Sequence, residues 1–210
     1  MTNSIDQVRA ATAKAAEDAG RDPALVEILP VTKYMELDRV KVLRDAGFTR
    51  MAESRPQQLA ERAELMPDID WVMIGRLQTN KAKLIAAHAA ESQSVDSIKV
   101  AQALSSRLDH SLPIFLQVNA SGEESKAGFS PDEIPEAIVA VRALPHLQIR
   151  GLMTMAPQAD PIMAEQTFRR TRKLAERFGL KDLSMGMSGD FVSAIKEGST
   201  IVRIGSALAK

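Results

Sequence analysis

The sequence predicts an α/β chain folded as a single (β/α)₈ TIM barrel with an extra N-terminal helix. Three observations carry the prediction. Short β-type runs alternate strictly with longer helical patterns, which implies parallel strands joined by crossover helices. Eight such runs fall within 210 residues, a length that suits one small barrel and is short for two domains. No glycine-rich dinucleotide fingerprint follows the first strand, which disfavours the structural alternative, a doubly wound open sheet.

The opening segment reads as a helix. Ile5, Val8, Ala15 and Ala19 share one face with Thr12, and Asn3 or Ser4 is its cap. The first strand covers residues 28–33. Further strands are expected at 48–53, 69–75, 93–96, 113–119, 147–154, 183–187 and 200–204. Ile98, Ala101, Leu104 and Leu108 mark one of the intervening helices. Ile134, Ile138 and Val141 mark another, opened by Ser130 as N-cap, Pro131 in the first turn and Glu133 completing a capping box. A third carries Ala164, Phe168, Thr171, Ala175 and Phe178 on its apolar face, and a short helical pattern runs from Phe191 to Lys196.

Composition removes several function classes. Basic and acidic residues number 27 each, so no global field steers the chain onto nucleic acid or an anionic membrane. Cysteine is absent, which excludes disulfides, thiolate nucleophiles and cysteine zinc sites. His88, His110 and His146 lie far apart without metal-ligand spacing and read as surface or loop residues. Residues 1–20 lack the apolar core of a signal peptide, and no run of about 18 apolar residues occurs, so the expected compartment is the cytosol. The basic run 168–173 reads as a solvated helix face, with a docking surface as the sharper alternative. Met153, Met155, Met185 and Met187 read as barrel lining.

Chemistry in such a barrel sits at the C-terminal ends of the strands. Lys33 ends the first strand and shares its face with Val31 and Leu29. An ammonium against an apolar wall is partly desolvated, which favours the neutral amine that imine formation needs. After the seventh strand comes Met187-Ser188-Gly189-Asp190, and after the eighth Gly205-Ser206. Small residues at helix or turn starts let a phosphate approach backbone N–H groups, and barrels often bind phosphate with these two loops. Arg203 faces inward with Ile201, and a buried guanidinium needs a partner, either a bound ligand or a carboxylate such as Glu53.

These segments resemble a known family. Pro30-Val31-Thr32-Lys33, Ala52-Glu53-Ser54-Arg55, the stretch Trp71 to Lys81, Ser94-Val95-Asp96-Ser97, Lys126-Ala127-Gly128-Phe129, Arg150 to Met155, Leu183 to Ser188 and Gly198 to Gly205 carry the likeness. The chain resembles the pyridoxal phosphate homeostasis proteins of the YggS/PROSC type, from about Ile5 to Ser206. The resemblance implies a barrel related to the alanine racemase N-terminal domain, with pyridoxal 5′-phosphate as a Schiff base on Lys33. It implies that Ser188, Gly205 and Ser206 hold the phosphate beside Met187, that Arg203 meets the pyridine nitrogen, and that Ser54 lies near the cofactor. The implied role is vitamin B6 homeostasis and delivery to acceptor enzymes by a monomer-like barrel, without firm turnover.

Three departures stand out. Ala52-Glu53-Ser54 replaces a usual Gly-Glu-Asn, so Ser54 makes a shorter contact than the asparagine. Val72 replaces a usual histidine, and Ser206 keeps a hydroxyl where the family has threonine. An amino-acid racemase is the runner-up, disfavoured because a cation at the pyridine nitrogen weakens the ring as an electron sink. The one tyrosine, Tyr34, follows Lys33 and is expected to face the helices rather than act as a second acid/base. A Schiff-base aldolase on a sugar phosphate is the third reading. Lys126 is read as a surface lysine, with transient receipt of the cofactor as its alternative.

Overall fold

A computed structural model describes residues 4–123, 127–157 and 159–209. The strands are β1 (Glu27–Pro30), β2 (Arg50–Glu53), β3 (Asp70–Met73), β4 (Glu91–Val95), β5 (Leu112–Gln117), β6 (Leu147–Met153), β7 (Asp182–Met187) and β8 (Ile201–Ile204). The helices are α1 (Ser4–Asp18), α2 (Leu37–Asp45), α3 (Pro56–Leu65), α4 (Ala82–His88), α5 (Ile98–Ser105), α6 (Ile134–Arg142), α7 (Pro161–Arg177) and α8 (Phe191–Lys196).

The strands form one parallel sheet in the order β1-β8-β7-β6-β5-β4-β3-β2. Just past the end of β1 the ring is joined by a parallel bridge between Val31 and Ala52 of β2, where the Thr32 N–H donates to the Ala52 carbonyl at 3.0 Å. The expected (β/α)₈ barrel is therefore the observed one. Seven helices are crossovers. The eighth place in the outer layer goes to α1; among the described residues a short turn follows β8. It packs on α8, and on the other side Arg9 and Arg39 tie it to α2: Arg9 Nη2 donates to the Ala46 carbonyl at 2.7 Å and Arg39 Nη2 to Ser4 Oγ at 2.7 Å.

Alternation along the strands divides two apolar layers. Leu29, Val31, Ala52, Val72, Phe115, Met153 and Ile201 fill the barrel. Their neighbours Met51, Met73, Leu116, Leu152, Met185, Val202 and Ile204 face the helices and join the larger core. Met185 is thus not barrel lining, in contrast to the sequence expectation. Burying a leucine such as Leu29 contributes about 2 kcal/mol. Two glycines are dictated by close approach. A Cβ on Gly75 would stand 1.8 Å from the Ser54 carbonyl oxygen, and one on Gly186, at φ +92°, 2.5 Å from the Ala194 Cβ.

Local differences have simple causes. β1 ends at Pro30, with Val31 as a bridge and Lys33–Tyr34 in a turn, so the strand stops short of residue 33. The box before α6 is half formed: Glu133 Oε2 accepts from the Ser130 N–H at 2.7 Å, but residues 131–133 take a turn and the helix starts at Ile134. Asn3 lies outside the described residues. The arginines of the basic run are engaged: Arg169 with Glu165 and Glu197, Arg172 with Glu176 and Glu197, and Arg170 with the Ala120 carbonyl. Arg169, Arg170 and Lys173 are exposed, so the run is the expected solvated face and carries an ion-pair network. Among the described residues, no helix is long and apolar enough to cross a membrane and no acid/His cluster has metal-site geometry.

Candidate functional site

A cavity of about 740 Å³ opens at the C-terminal ends of the strands. All seven residues singled out from the sequence line it: Lys33, Ser54, Met187, Ser188, Arg203, Gly205 and Ser206. Met153, Met155 and Ile74 supply its apolar surface. Lys126 lies outside the described residues.

Lys33 is held in place from behind. Thr32, fully buried, donates its hydroxyl to Glu53 Oε1, and Arg62 Nη1 stands 3.1 Å from the same carboxylate oxygen. Arg62 Nη2 donates to the Met35 carbonyl at 2.7 Å, clamping the turn that carries Lys33. Burial pushes the Glu53 carboxyl above its ordinary range, while the Thr32 hydrogen bond and Arg62 pull the other way. Sequence reasoning offered Glu53 as a partner for Arg203; it faces the helices and pairs with Arg62 instead. Alternation forces this, since Ala52 faces the barrel and Glu53 must face away.

Arg203 is 4% exposed and meets no carboxylate in an ion pair among the described residues. Nη1 donates to the Ser184 carbonyl at 2.7 Å and to Ser184 Oγ at 2.8 Å, and Nη2 to the Thr154 carbonyl at 2.9 Å. Burial lowers the guanidinium to about 10, with nearby Asp190 holding it up. It is therefore cationic at neutral pH.

The loops after β7 and β8 touch. The Ala207 N–H approaches Ser188 Oγ at 3.5 Å. The Met187–Asp190 turn closes on itself, with Asp190 N–H donating to the Met187 carbonyl at 3.0 Å and Met187 N–H to Asp190 Oδ1 at 2.6 Å. Burial raises the Asp190 carboxyl above its usual range, against the pull of the Met187 amide and Arg203. Among the described residues, the N–H groups of Ser188, Gly189, Gly205 and Ser206 take no acceptor. Four N–H donors and two hydroxyls at adjoining turns suit an anion.

Tyr34 departs from expectation. It is 78% exposed, lines the cavity, and its ring centroid lies 4.9 Å from Lys33 Nζ. The alternation that would turn it to the helices ends with the strand at Pro30. Sequence reasoning also gave no role to Thr32 and Arg62, since only their burial marks them.

Comparison with known proteins agrees with this geometry. A family model described as the alanine racemase N-terminal domain matches residues 4–210. A pyridoxal phosphate homeostasis protein of Pseudomonas aeruginosa is 42% identical over 216 residues, covering 99% of this chain and 94% of its own. The chain belongs to the pyridoxal phosphate homeostasis protein family. Its Escherichia coli K12 relative of the same name is 33% identical and covers 99% of this chain and 95% of itself. The solved structure of PipY from Synechococcus elongatus with PLP bound superposes with a TM-score of 0.78 at 28% identity, covering 95% of this chain and 100% of that one. Alanine racemase from Clostridium difficile, at 16% identity and TM-score 0.72, shares the fold over 95% of this chain and 55% of its own.

Proposed function

We propose that this chain binds pyridoxal 5′-phosphate as a Schiff base on Lys33, and that it acts in intracellular vitamin B6 homeostasis and delivery to acceptor enzymes. One observation carries the reading. Residues from widely separated segments, Lys33 after β1, Ser188 after β7 and Arg203 to Ser206 at the end of β8, line one cavity. Its 740 Å³ falls within the range of roughly 300–1,000 Å³ that small-molecule sites occupy. The printed names of the relatives, and the PLP in PipY, support the same ligand.

The residues present fit the group. Lys33 supplies the amine, and the Thr32–Glu53–Arg62 clamp orients the turn that bears it. Ser188, Gly205 and Ser206 would hold the phosphate through hydroxyl and backbone N–H groups, with Met187 and Ser54 completing the wall, and Arg203 would donate to the pyridine nitrogen. When bound, the cofactor supplies an aldehyde and an electron-withdrawing ring. A cation at its nitrogen opposes a second positive charge there, which weakens carbanion chemistry and favours holding over turnover. The chain works as a one-barrel, monomeric carrier in the cytoplasm, with no nucleic acid or membrane partner.

Tyr34 gives the racemase reading one specific support, since its ring lines the cavity beside Lys33. The tests separate the two. Protein loaded with pyridoxal phosphate should show an imine absorption band that borohydride fixes onto Lys33, and Lys33→Ala should lose the band and most of the bound cofactor. Equal stoichiometry in Lys33→Ala would overturn the Schiff-base reading. Steady racemisation of alanine, abolished by Lys33→Ala, would promote the enzyme.

A further inference from the structure

A chain of polar contacts runs through the barrel from its N-terminal mouth to Arg203. Glu91, 2% exposed, lies between two guanidinium groups, with Arg50 Nη2 at 2.9 Å and Arg150 Nη1 at 2.5 Å. Arg50 also pairs with Glu27, and Arg150 with Asp182. Gln93 Nε2 donates to Glu91 Oε1 at 2.8 Å, and Ser184 Oγ donates to Gln93 Oε1 at 2.6 Å. Arg203 Nη1 then donates to Ser184 Oγ at 2.8 Å. Gln93 and Ser184 are fully buried.

Donor and acceptor roles along this chain have a single consistent assignment. Glu91 meets a guanidinium at each carboxylate oxygen and accepts from both. The Gln93 amide NH₂ must therefore face it, which leaves the Gln93 carbonyl facing Ser184. The lone Ser184 hydroxyl proton goes to that carbonyl, so Ser184 Oγ meets Arg203 only as an acceptor. The Ser184 and Thr154 carbonyls likewise only accept. Every protein partner of Arg203 thus takes a hydrogen from it. We infer that Gln93, acting through Ser184, is a positioning residue that holds the Arg203 guanidinium in the orientation from which it donates toward the ring nitrogen of pyridoxal phosphate. This rests on the proposed cofactor reading. Leucine or methionine at position 93 would leave the Ser184 proton without this acceptor, so Oγ would no longer be held with its lone pairs toward Arg203 Nη1.

The experiment compares binding of pyridoxal 5′-phosphate with its 1-deaza analogue, in which a ring C–H replaces the nitrogen. Wild type should prefer the natural ring by about ten- to a hundredfold, the range for a charge-assisted hydrogen bond. Gln93→Met, close in volume, and Ser184→Ala should each cut that preference by about two- to tenfold, the scale of one lost hydrogen bond. Both should shift the absorption maximum while borohydride still labels Lys33. Either variant decides the matter if the other does not fold. Preference and band position retained in a folded variant would overturn the role of Gln93 alone. No preference in wild type would overturn the placement of Arg203 at the ring nitrogen, and this inference with it.

Discussion

Arg203 is a buried cation whose charge answers to its surroundings. Burial lowers its pKa to about 10. Below that value it is protonated and donates; above it, one donor becomes an acceptor. The absorption band of the loaded protein should therefore hold steady from about pH 6 to 9 and change near 10. Arg203→Gln should abolish the alkaline step, which a spectrophotometric titration reads. Tyr34 offers a second test, because its ring stands 4.9 Å from the Lys33 amine at the cavity mouth. A cation–π contact at an exposed site is worth about 0.5–1 kcal/mol. The ammonium that makes this contact belongs to the unloaded protein, so Tyr34→Ala should tighten pyridoxal phosphate binding roughly two- to fivefold on that scale, as measured by equilibrium titration. Lys33 and Arg203 were legible because small residues, apolar neighbours and strand ends surround them in sequence. Tyr34 was misread because alternation holds only while the strand lasts, and β1 gives out at Pro30.

The elements around β1 and β2 depend on the clamp formed by Thr32, Glu53 and Arg62. Burial raises the Glu53 carboxyl. Its folded form thus holds a proton more tightly than the unfolded chain does. The associated stability is complete below the unfolded value of about 4.3 and is lost as pH rises through the raised folded value. Glu53→Gln should remove that slope, so urea midpoints of wild type and variant should diverge with rising pH above about 4.3 in favour of the variant. A constant difference across pH 4–8 would count against it. β4 shows why some elements hide. Its sequence, Glu-Ser-Gln-Ser-Val, has one apolar residue in five, yet every position is buried. Pattern reading placed the strand at 93–96 and missed Glu91 and Ser92, because Glu91 and Gln93 find their polar partners inside the barrel. No local signal announces a partner that comes from β6 or β7. The apolar strands β5 and β8 carried no such conflict and were found almost to the residue.

At the scale of the whole molecule, the two ends of the chain meet. β1 pairs with β8 from Glu27 against Ile201 to Pro30 against Ile204, while its other edge touches β2 through one bridge. β1 therefore depends on residues some 170 positions away, a contact order that slows folding and couples the ends. A chain stopped at Thr200 should lose cooperative urea unfolding altogether, as followed by far-UV circular dichroism, rather than simply lose its anion loop. The barrel class itself was readable from alternation alone. That α1 fills the eighth place in the outer layer was not, because nothing in the helix's own pattern says which neighbours it will find.

The cavity mouth is broad, with Tyr34 78% and Met155 40% exposed at its rim. An amine held in such a place is in continuous conversation with the solution. If Lys33 holds an aldehyde as proposed, free amino acids would compete for it without any part of the fold having to open. On the proposed reading, how full this protein is at any moment would then register the ambient concentration of primary amines, making occupancy itself a gauge of nitrogen supply.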